Sequence, residues 1–242
     1  MRALVISDIH ANITALEAVL EDAGTIDAVW CLGDVVGYGP SPNDCIALLK
    51  QQPNLTCILG NHDAAALNML ELDSFNPEAR TSVEWMQTQL SSDSLYFLHE
   101  LPETAIIDQV TLSHGSPRYP VFEYLLDTRS ATENFEYFDT DFCFVGHSHL
   151  PVAFTYQKNE YMASLSVPPV NQSIGLKPRT IVNPGSVGQP RDRDPRAAYA
   201  IFESETAQWK HQRVEYDIKK VQKLMREANL PQRHIIRLAE GW

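Results

Sequence analysis

Ala3-Leu4-Val5-Ile6-Ser7-Asp8-Ile9-His10 opens the chain with a short apolar run that ends on a carboxylate and an imidazole. A run of β-forming residues bounded by polar ones predicts a buried strand, Ala3 to Ser7. A helix is expected next. Asn12 or Thr14 can cap it, Thr14 and Glu17 stand at capping-box spacing, Ile13, Leu16, Val19 and Leu20 share one helical face, and Gly24 stops it. The pattern then repeats. Ala28 to Leu32 is a second apolar run ending at Gly33-Asp34, and Ser41-Pro42 starts a helix carrying Ile46, Leu48 and Leu49. Thr56 to Leu59 is a third, ending at Gly60-Asn61-His62-Asp63. Strand, turn and helix alternating over about sixty residues predict a parallel α/β sheet.

Farther along, Asn76-Pro77 opens a helix through Leu90, and Leu95 to Leu101 reads as another. Strands are expected at Ala105 to Ile107 and Val110 to Ser113. Ser130 and Glu133, at capping-box spacing, introduce a short helix to Phe138. Phe142 to Val145 is a strand ending at Gly146-His147. In the last third, Val152 to Tyr156, Thr180 to Val182, Ala198 to Phe202 and Gln212 to Glu215 read as an antiparallel sheet. Ser164 to Pro178, rich in Ser, Pro, Asn and Gly, reads as a loop. Asp217 caps a final helix through Ala228, which Asn229 and Pro231 end. No internal repeat is present, and residues 1–242 are expected to form a single domain.

The 242 residues can bury a large core without staples, and 44% hydrophobic with 21% charged residues is ordinary globular composition. A formal net charge of −12 excludes an overall electrostatic attraction for nucleic acid or anionic membrane, though not a local basic patch. Cys31, Cys45, Cys57 and Cys143 form no Cys-x-x-Cys pair and read as buried thiols of a reducing cytosol. The first apolar run is too short for a signal peptide, and nothing else approaches a membrane span, so a cytoplasmic protein is expected.

Chemistry concentrates just past the apolar runs. The motifs are Asp8-Ile9-His10, Gly33-Asp34, Gly60-Asn61-His62-Asp63, Ser113-His114-Gly115 and Gly146-His147-Ser148-His149. Five of the eight histidines lie in them. Ligands of parallel α/β sheets gather at the carboxyl ends of strands, so the five segments are expected to converge. Asp8 with His10, and His147 with His149, stand two apart, which on extended backbone presents both side chains to one face. Carboxylate, imidazole and amide oxygen suit divalent Mn, Fe, Zn or Ni. A structural zinc would more often use thiolates, and these turns contain none.

Taken together, Asp8-x-His10, Gly33-Asp34-x-x-Gly37, Gly60-Asn61-His62-Asp63, His114 and Gly146-His147-x-His149 resemble the calcineurin-like metallophosphoesterase superfamily. Gly33 to Pro40, His114 to Arg118 and Asn183 to Asp192 resemble its small prokaryotic phosphodiesterase branch. The resemblance implies a four-layer α/β/β/α sandwich of two mixed sheets with a dinuclear metal site at one edge. It implies one divalent transition metal on Asp8, His10 and His149, a second on Asn61, His114 and His147, and Asp34 bridging both. The reaction it implies is hydrolysis of a small phosphodiester by a metal-bridging hydroxide.

His62 is implied to face the substrate, where as an imidazolium it would stabilise the transition state or protonate the leaving group, with Asp63 as its natural orienting partner. Asn12 and Arg118 are candidate phosphate contacts. Arg191, Arg193 and Arg196 could also contact phosphate, but they lie in an Arg-Asp alternation, and the last two read as solvated surface pairs. Tyr119 to Leu126 is either a wall over the metals or a buried helix. Protein phosphatases and dinucleoside tetraphosphate hydrolases of the same superfamily typically carry an arginine after the Gly-Asp motif. Tyr38 stands there instead, which weakens monoester and phosphoprotein substrates. A non-catalytic scaffold is the remaining alternative, and every ligand position is filled against it. Nucleic acid enters only as a substrate, and an exposed sheet edge would allow a homo-oligomer.

Overall fold

The computed structural model describes residues 1–70, 76–157 and 160–242. The first half runs β1 (Arg2–Ile6), α1 (Ile13–Ala23), β2 (Ala28–Cys31), α2 (Pro42–Leu49), β3 (Thr56–Cys57), α3 (Asn61–Ala66), α4 (Pro77–Gln89), α5 (Ser92–His99), β4 (Thr104–Ile107) and β5 (Val110–Ser113). The second half runs α6 (Thr128–Asn134), β6 (Phe142–Phe144), β7 (Val152–Thr155), β8 (Ser164–Ser166), β9 (Ser173–Gly175), β10 (Thr180–Asn183), β11 (Ala197–Glu203), β12 (Gln208–Val214), α7 (Ile218–Glu227) and α8 (Gln232–Glu240).

The strands form two six-stranded sheets, β3-β2-β1-β11-β12-β9 and β4-β5-β6-β10-β7-β8. Both are mixed. β1 is parallel to β2 and β2 to β3, while β1 is antiparallel to β11. In the second sheet β5, β6 and β10 are mutually parallel and β10 is antiparallel to β7.

Side-chain alternation along each strand separates the layers. Ala3, Val5, Ala28 and Trp30 face inward, meeting Leu112, Phe142, Phe144 and Val182 of the opposite sheet. Leu4, Ile6, Val29 and Cys31 face outward, against Leu16 and Val19 of α1, Ile46 and Leu49 of α2, and Val83 and Met86 of α4. On the far side Cys143, Phe154 and Ile181 pack under Ala131 of α6 and the following Phe135 and Phe138. This is the expected α/β/β/α sandwich. Burying each large apolar side chain contributes about 1.5–3 kcal/mol, so strands buried on both faces anchor the ends on which the site is built.

Four local expectations change. Ser164 to Pro178 is not all loop: it supplies β8 and β9, the edge strands of the two sheets. Each pairs on one side only, and their residues are mostly exposed, so no hydrophobic alternation announces them. The helix capped by Asp217 ends at Glu227 as expected but is not the final one: Pro231 begins α8, whose Ile235 and Leu238 pack with Val221 and Met225 of α7. The strands of the last third are shared between the sheets, β7 and β10 in one, β11 and β12 in the other. Asp127, rather than Ser130, caps α6. All four cysteines are buried free thiols. No helix among the described residues is long and apolar enough to cross a membrane.

Candidate active site

Past the carboxyl ends of β1, β2 and β6 the chain turns sharply. Asp8, His10, Asp34, His147 and His149 all take positive φ, between 49° and 63°. The pairs two apart are therefore not displayed by extended backbone, as their spacing had suggested. Left-handed residues aim them, a conformation costing on the order of 1–3 kcal/mol each outside glycine. Cross-loop hydrogen bonds hold these turns: Asp8 N–H donates to Gly33 O (3.0 Å) and His10 N–H to Asp34 O (2.9 Å). Two glycines permit the closeness. A Cβ on Gly60 would lie 2.2 Å from the backbone nitrogen and Oδ1 of Asp34, and one on Gly146 would lie 1.9 Å from Ser7 Oγ.

The side chains converge. His149 Nε2 is 3.0 Å from His10 Nε2 and 3.3 Å from Asp8 Oδ1. His114 Nε2 is 3.0 Å from Asn61 Oδ1 and 3.4 Å from Asp34 Oδ2, and His10 Nε2 is 3.7 Å from the same Asp34 oxygen. Two groups with cation-binding geometry emerge, Asp8-His10-His149 and Asp34-His114-His147; a third, His10-Asp34-His62, links them. His147 and His149 thus fall in different groups.

The neighbours fix which atoms face the centre. Leu32 O, Gln189 O and Val36 O lie 2.7, 2.6 and 3.3 Å from Nδ1 of His114, His149 and His10. Each carbonyl accepts a hydrogen bond from Nδ1–H, which turns Nε2 toward the centre, where the neutral ring offers it as a ligand. His147 is reversed: its Nε2 is 3.2 Å from Phe122 O, and its ring stacks on Tyr124 at 3.7 Å. The two carboxylates follow one rule. Asp8 Oδ2 accepts from His147 N–H (3.1 Å) and Asp34 Oδ1 from His62 N–H (2.8 Å). Their other oxygens, Asp8 Oδ1 and Asp34 Oδ2, are buried without a hydrogen-bond partner among the described residues.

Such orphaned oxygens beside imidazole lone pairs are costly unless cations satisfy them. Protonation shows the same strain. Burial pushes Asp8 up to about 7. Burial also opposes protonation of His114, but Asp34 and Asp8 outweigh it and raise it to about 9. Burial drives His10 and His149 well below the usual range and His147 to about 3, leaving neutral rings suited to ligation. The nitrogen and oxygen donor set fits two divalent cations.

Several expected roles change. Burial pushes His62 down to about 4 against the pull of Asp34, which favours the neutral imidazole over the expected imidazolium. Asp63 does not orient His62. Its carboxylate accepts from Gly60 N–H (3.0 Å), Val36 N–H (3.0 Å) and Val35 N–H (3.3 Å), tying the Asp34 loop to the Asn61 turn. Asn12 is no phosphate contact: its Oδ1 caps α1 through Ala15 N–H and its Nδ2 donates to Gly188 O. Arg118 turns away, ion-paired with Glu123 and with Glu133 at 2.9 Å. Arg196 pairs with Asp194 at 2.6 Å, as a surface pair should.

Tyr119 to Leu126 is irregular, and Phe122 and Tyr124 form one wall of a cleft of about 240 Å³ that Tyr38, Asn61, His62 and His147 also line. Behind Tyr38 stand residues that the motifs did not include as site members. The His234 ring is 4.4 Å from that of Tyr38, which itself lies 4.5 Å from His62 and 4.6 Å from His10.

Comparison with known proteins accords with this geometry. A metallophosphoesterase from Sphaerobacter thermophilus superposes with a TM-score of 0.92 at 46% identity, covering 100% of this chain and 99% of that one. An uncharacterised protein of Methanocaldococcus jannaschii is 37% identical over 235 residues, 94% of this chain and 93% of its own. Serine/threonine-protein phosphatase 2 of Escherichia coli is 30% identical over 132 residues, half of this chain and 60% of that protein. The model of the calcineurin-like phosphoesterase superfamily domain matches residues 1–207, a span that contains every strand-end ligand described above, and the chain belongs to that superfamily.

Proposed function

We propose that the chain hydrolyses phosphodiesters at a two-metal centre, with Asp8, His10 and His149 holding one cation, Asn61, His114 and His147 the other, and Asp34 both. The observation that carries this is the pair of buried oxygens without a hydrogen-bond partner among the described residues, Asp8 Oδ1 and Asp34 Oδ2, the first facing His149 and the second facing His114 and His10. When bound, two such cations supply a nucleophile at neutral pH and neutralise the phosphoryl oxygens. Mn, Fe, Zn and Ni all suit the donor set.

The chain's own residues orient and bind. Backbone N–H groups of His147 and His62 fix one oxygen of each carboxylate, so the other is committed to the centre. His62 lines the cleft and, as a neutral imidazole, offers a proton-bearing nitrogen to the phosphoryl or leaving oxygen without adding repulsion to the cations. Phe122, Tyr124 and Tyr38 give the cleft apolar surface for the second organic arm that distinguishes a diester from a monoester. The test is metal quantification on protein prepared without chelator, followed by turnover of bis(p-nitrophenyl) phosphate against p-nitrophenyl phosphate. Two cations per chain and faster diester turnover are expected. Preferred turnover of the monoester overturns the diester reading, and absence of both metal and Mn²⁺-dependent turnover overturns the enzyme reading.

A further inference from the structure

Two arginines meet beside this centre without a carboxylate between them. Arg191 lies in the loop between β10 and β11, and Arg237 lies on α8, beyond the segment that the superfamily model matches. Both point at one acceptor: Gln189 Oε1 is 3.0 Å from Arg191 Nη2 and 3.4 Å from Arg237 Nη1. Neither forms an ion pair among the described residues, and the Nε atom of each is buried without a hydrogen-bond partner. The nearest acids outside the centre pair with other arginines. Asp192 pairs with Arg213, Asp194 with Arg196, and Glu78 lies 4.0 Å from Arg233. Burial and the Arg191 charge both disfavour the charged form of Arg237.

Each guanidinium is nevertheless held in place. Arg191 lies 5.7 Å from the Tyr38 ring centre with Nη2 3.4 Å from the Tyr38 hydroxyl, and Arg237 lies 5.6 Å from the Trp242 ring. Tyr38 is also a wall of the catalytic cleft, so one aromatic ring separates Arg191 from His62 and His10. Two like charges gathered by half-buried side chains, with donors to spare and no anion, make a site for one. Guanidinium forks match phosphate oxygens, and a shared phosphate would turn their repulsion into charge-assisted hydrogen bonds.

We propose that Arg191 and Arg237 form an anion subsite that takes a second phosphoryl group of the substrate, so that the preferred substrates carry at least two phosphates. This rests on the two-metal reading for its reaction but not for its binding. The test is calorimetry of AMP and of α,β-methylene-ADP on the metal-loaded protein at buffered free metal, beside Arg191→Gln, Arg237→Gln and the corresponding lysine variants. The two-phosphate ligand should bind about tenfold tighter than AMP, each glutamine variant should cut that ratio to about threefold or less, and lysine should restore part of it. A wild-type ratio near one, or a ratio that survives both glutamine variants, overturns the subsite. If the ratio behaves as expected while bis(p-nitrophenyl) phosphate is not turned over, the diester reading fails and the anion subsite stands.

Discussion

At the strand ends, Asp8, His10, Asp34, His147 and His149 all sit on left-handed backbone, whereas Tyr38, Arg191, His234 and Arg237, a ring's width away, do not. The first group is aimed by strained turns, close-approach glycines and backbone hydrogen bonds between loops. The second is aimed by rings and guanidiniums packed on one another, two of them from the last turns of the chain. Strain that persists only when its surroundings over-determine it belongs where geometry must be rigid, and here it surrounds the partnerless carboxylate oxygens. Packing without strain leaves the wall freer to differ. The centre should therefore govern whether reaction occurs, and the wall which ester is taken.

Asp34→Asn should break the centre hardest. Its amide oxygen can still accept from His62 N–H, but the charge shared by both ligand groups is lost. A ligand matters more than its supporting partners, whose loss typically costs 10–100-fold, so metal content should fall and kcat/KM drop by at least about 100-fold. Arg191→Gln, in the wall, should retain wild-type metal content by elemental analysis. Equal metal loss in the two variants would erase the distinction between centre and wall.

Asp63→Ala should come next, because three backbone N–H groups lose the acceptor that joins the Asp34 and Asn61 turns. Metal affinity should weaken by about 10–100-fold, read by chelator competition, although Asp63 is outside the ligand groups. Gly60→Ala tests the glycine contribution through stability. The added Cβ would meet Asp34 backbone at 2.2 Å, and relief of that overlap should cost about 1–3 kcal/mol in denaturant unfolding. Gly175→Ala, where the neighbour met among the described residues is the end of the Gln208 side chain at 3.3 Å, should stay within about 0.5 kcal/mol.

The same contrast explains what could be read from the chain alone. The α/β strands and the ligand motifs were visible because each motif follows a short apolar run of β-forming residues and glycines mark the turns, while the sandwich followed from the resemblance those motifs carry. Sequence proximity then misled. Asn12 and Arg118 are near ligands along the chain, yet the first turns inward to cap α1 and the second finds Glu123 five residues on. Asp63 next to His62 suggested an orienting pair, while its oxygens serve backbone donors. The wall was hidden for a different reason. Arg191 sits in an Arg-Asp alternation where a phosphate contact and a surface pair look alike, and only tertiary contact shows that Asp192 is taken by Arg213 while Arg196 takes Asp194. His234 and Arg237 follow Pro231, which reads as a stop but begins α8.

The smallest effect expected is an acid sensitivity assigned to the wall. Burial lowers His234 to about 4, and a histidine in the unfolded chain titrates near 6.5. Between those values the unfolded chain binds a proton that the folded chain refuses. The contribution of a neutral His234 is thus complete above about pH 6.5 and is lost as pH falls toward about 4. His234→Phe keeps a ring against Tyr38 while removing the proton-binding group, so its melting temperature should fall less than wild type between pH 7 and pH 4.5. At about 2–4 °C per kcal/mol for a chain of this size, the difference should be a few degrees. His211, lowered to about 4 by burial in β12, adds the same slope to both proteins and cancels from the comparison. Equal falls in the two proteins would mean that His234 takes up its proton without leaving Tyr38, and that the wall is wetter than the centre it borders.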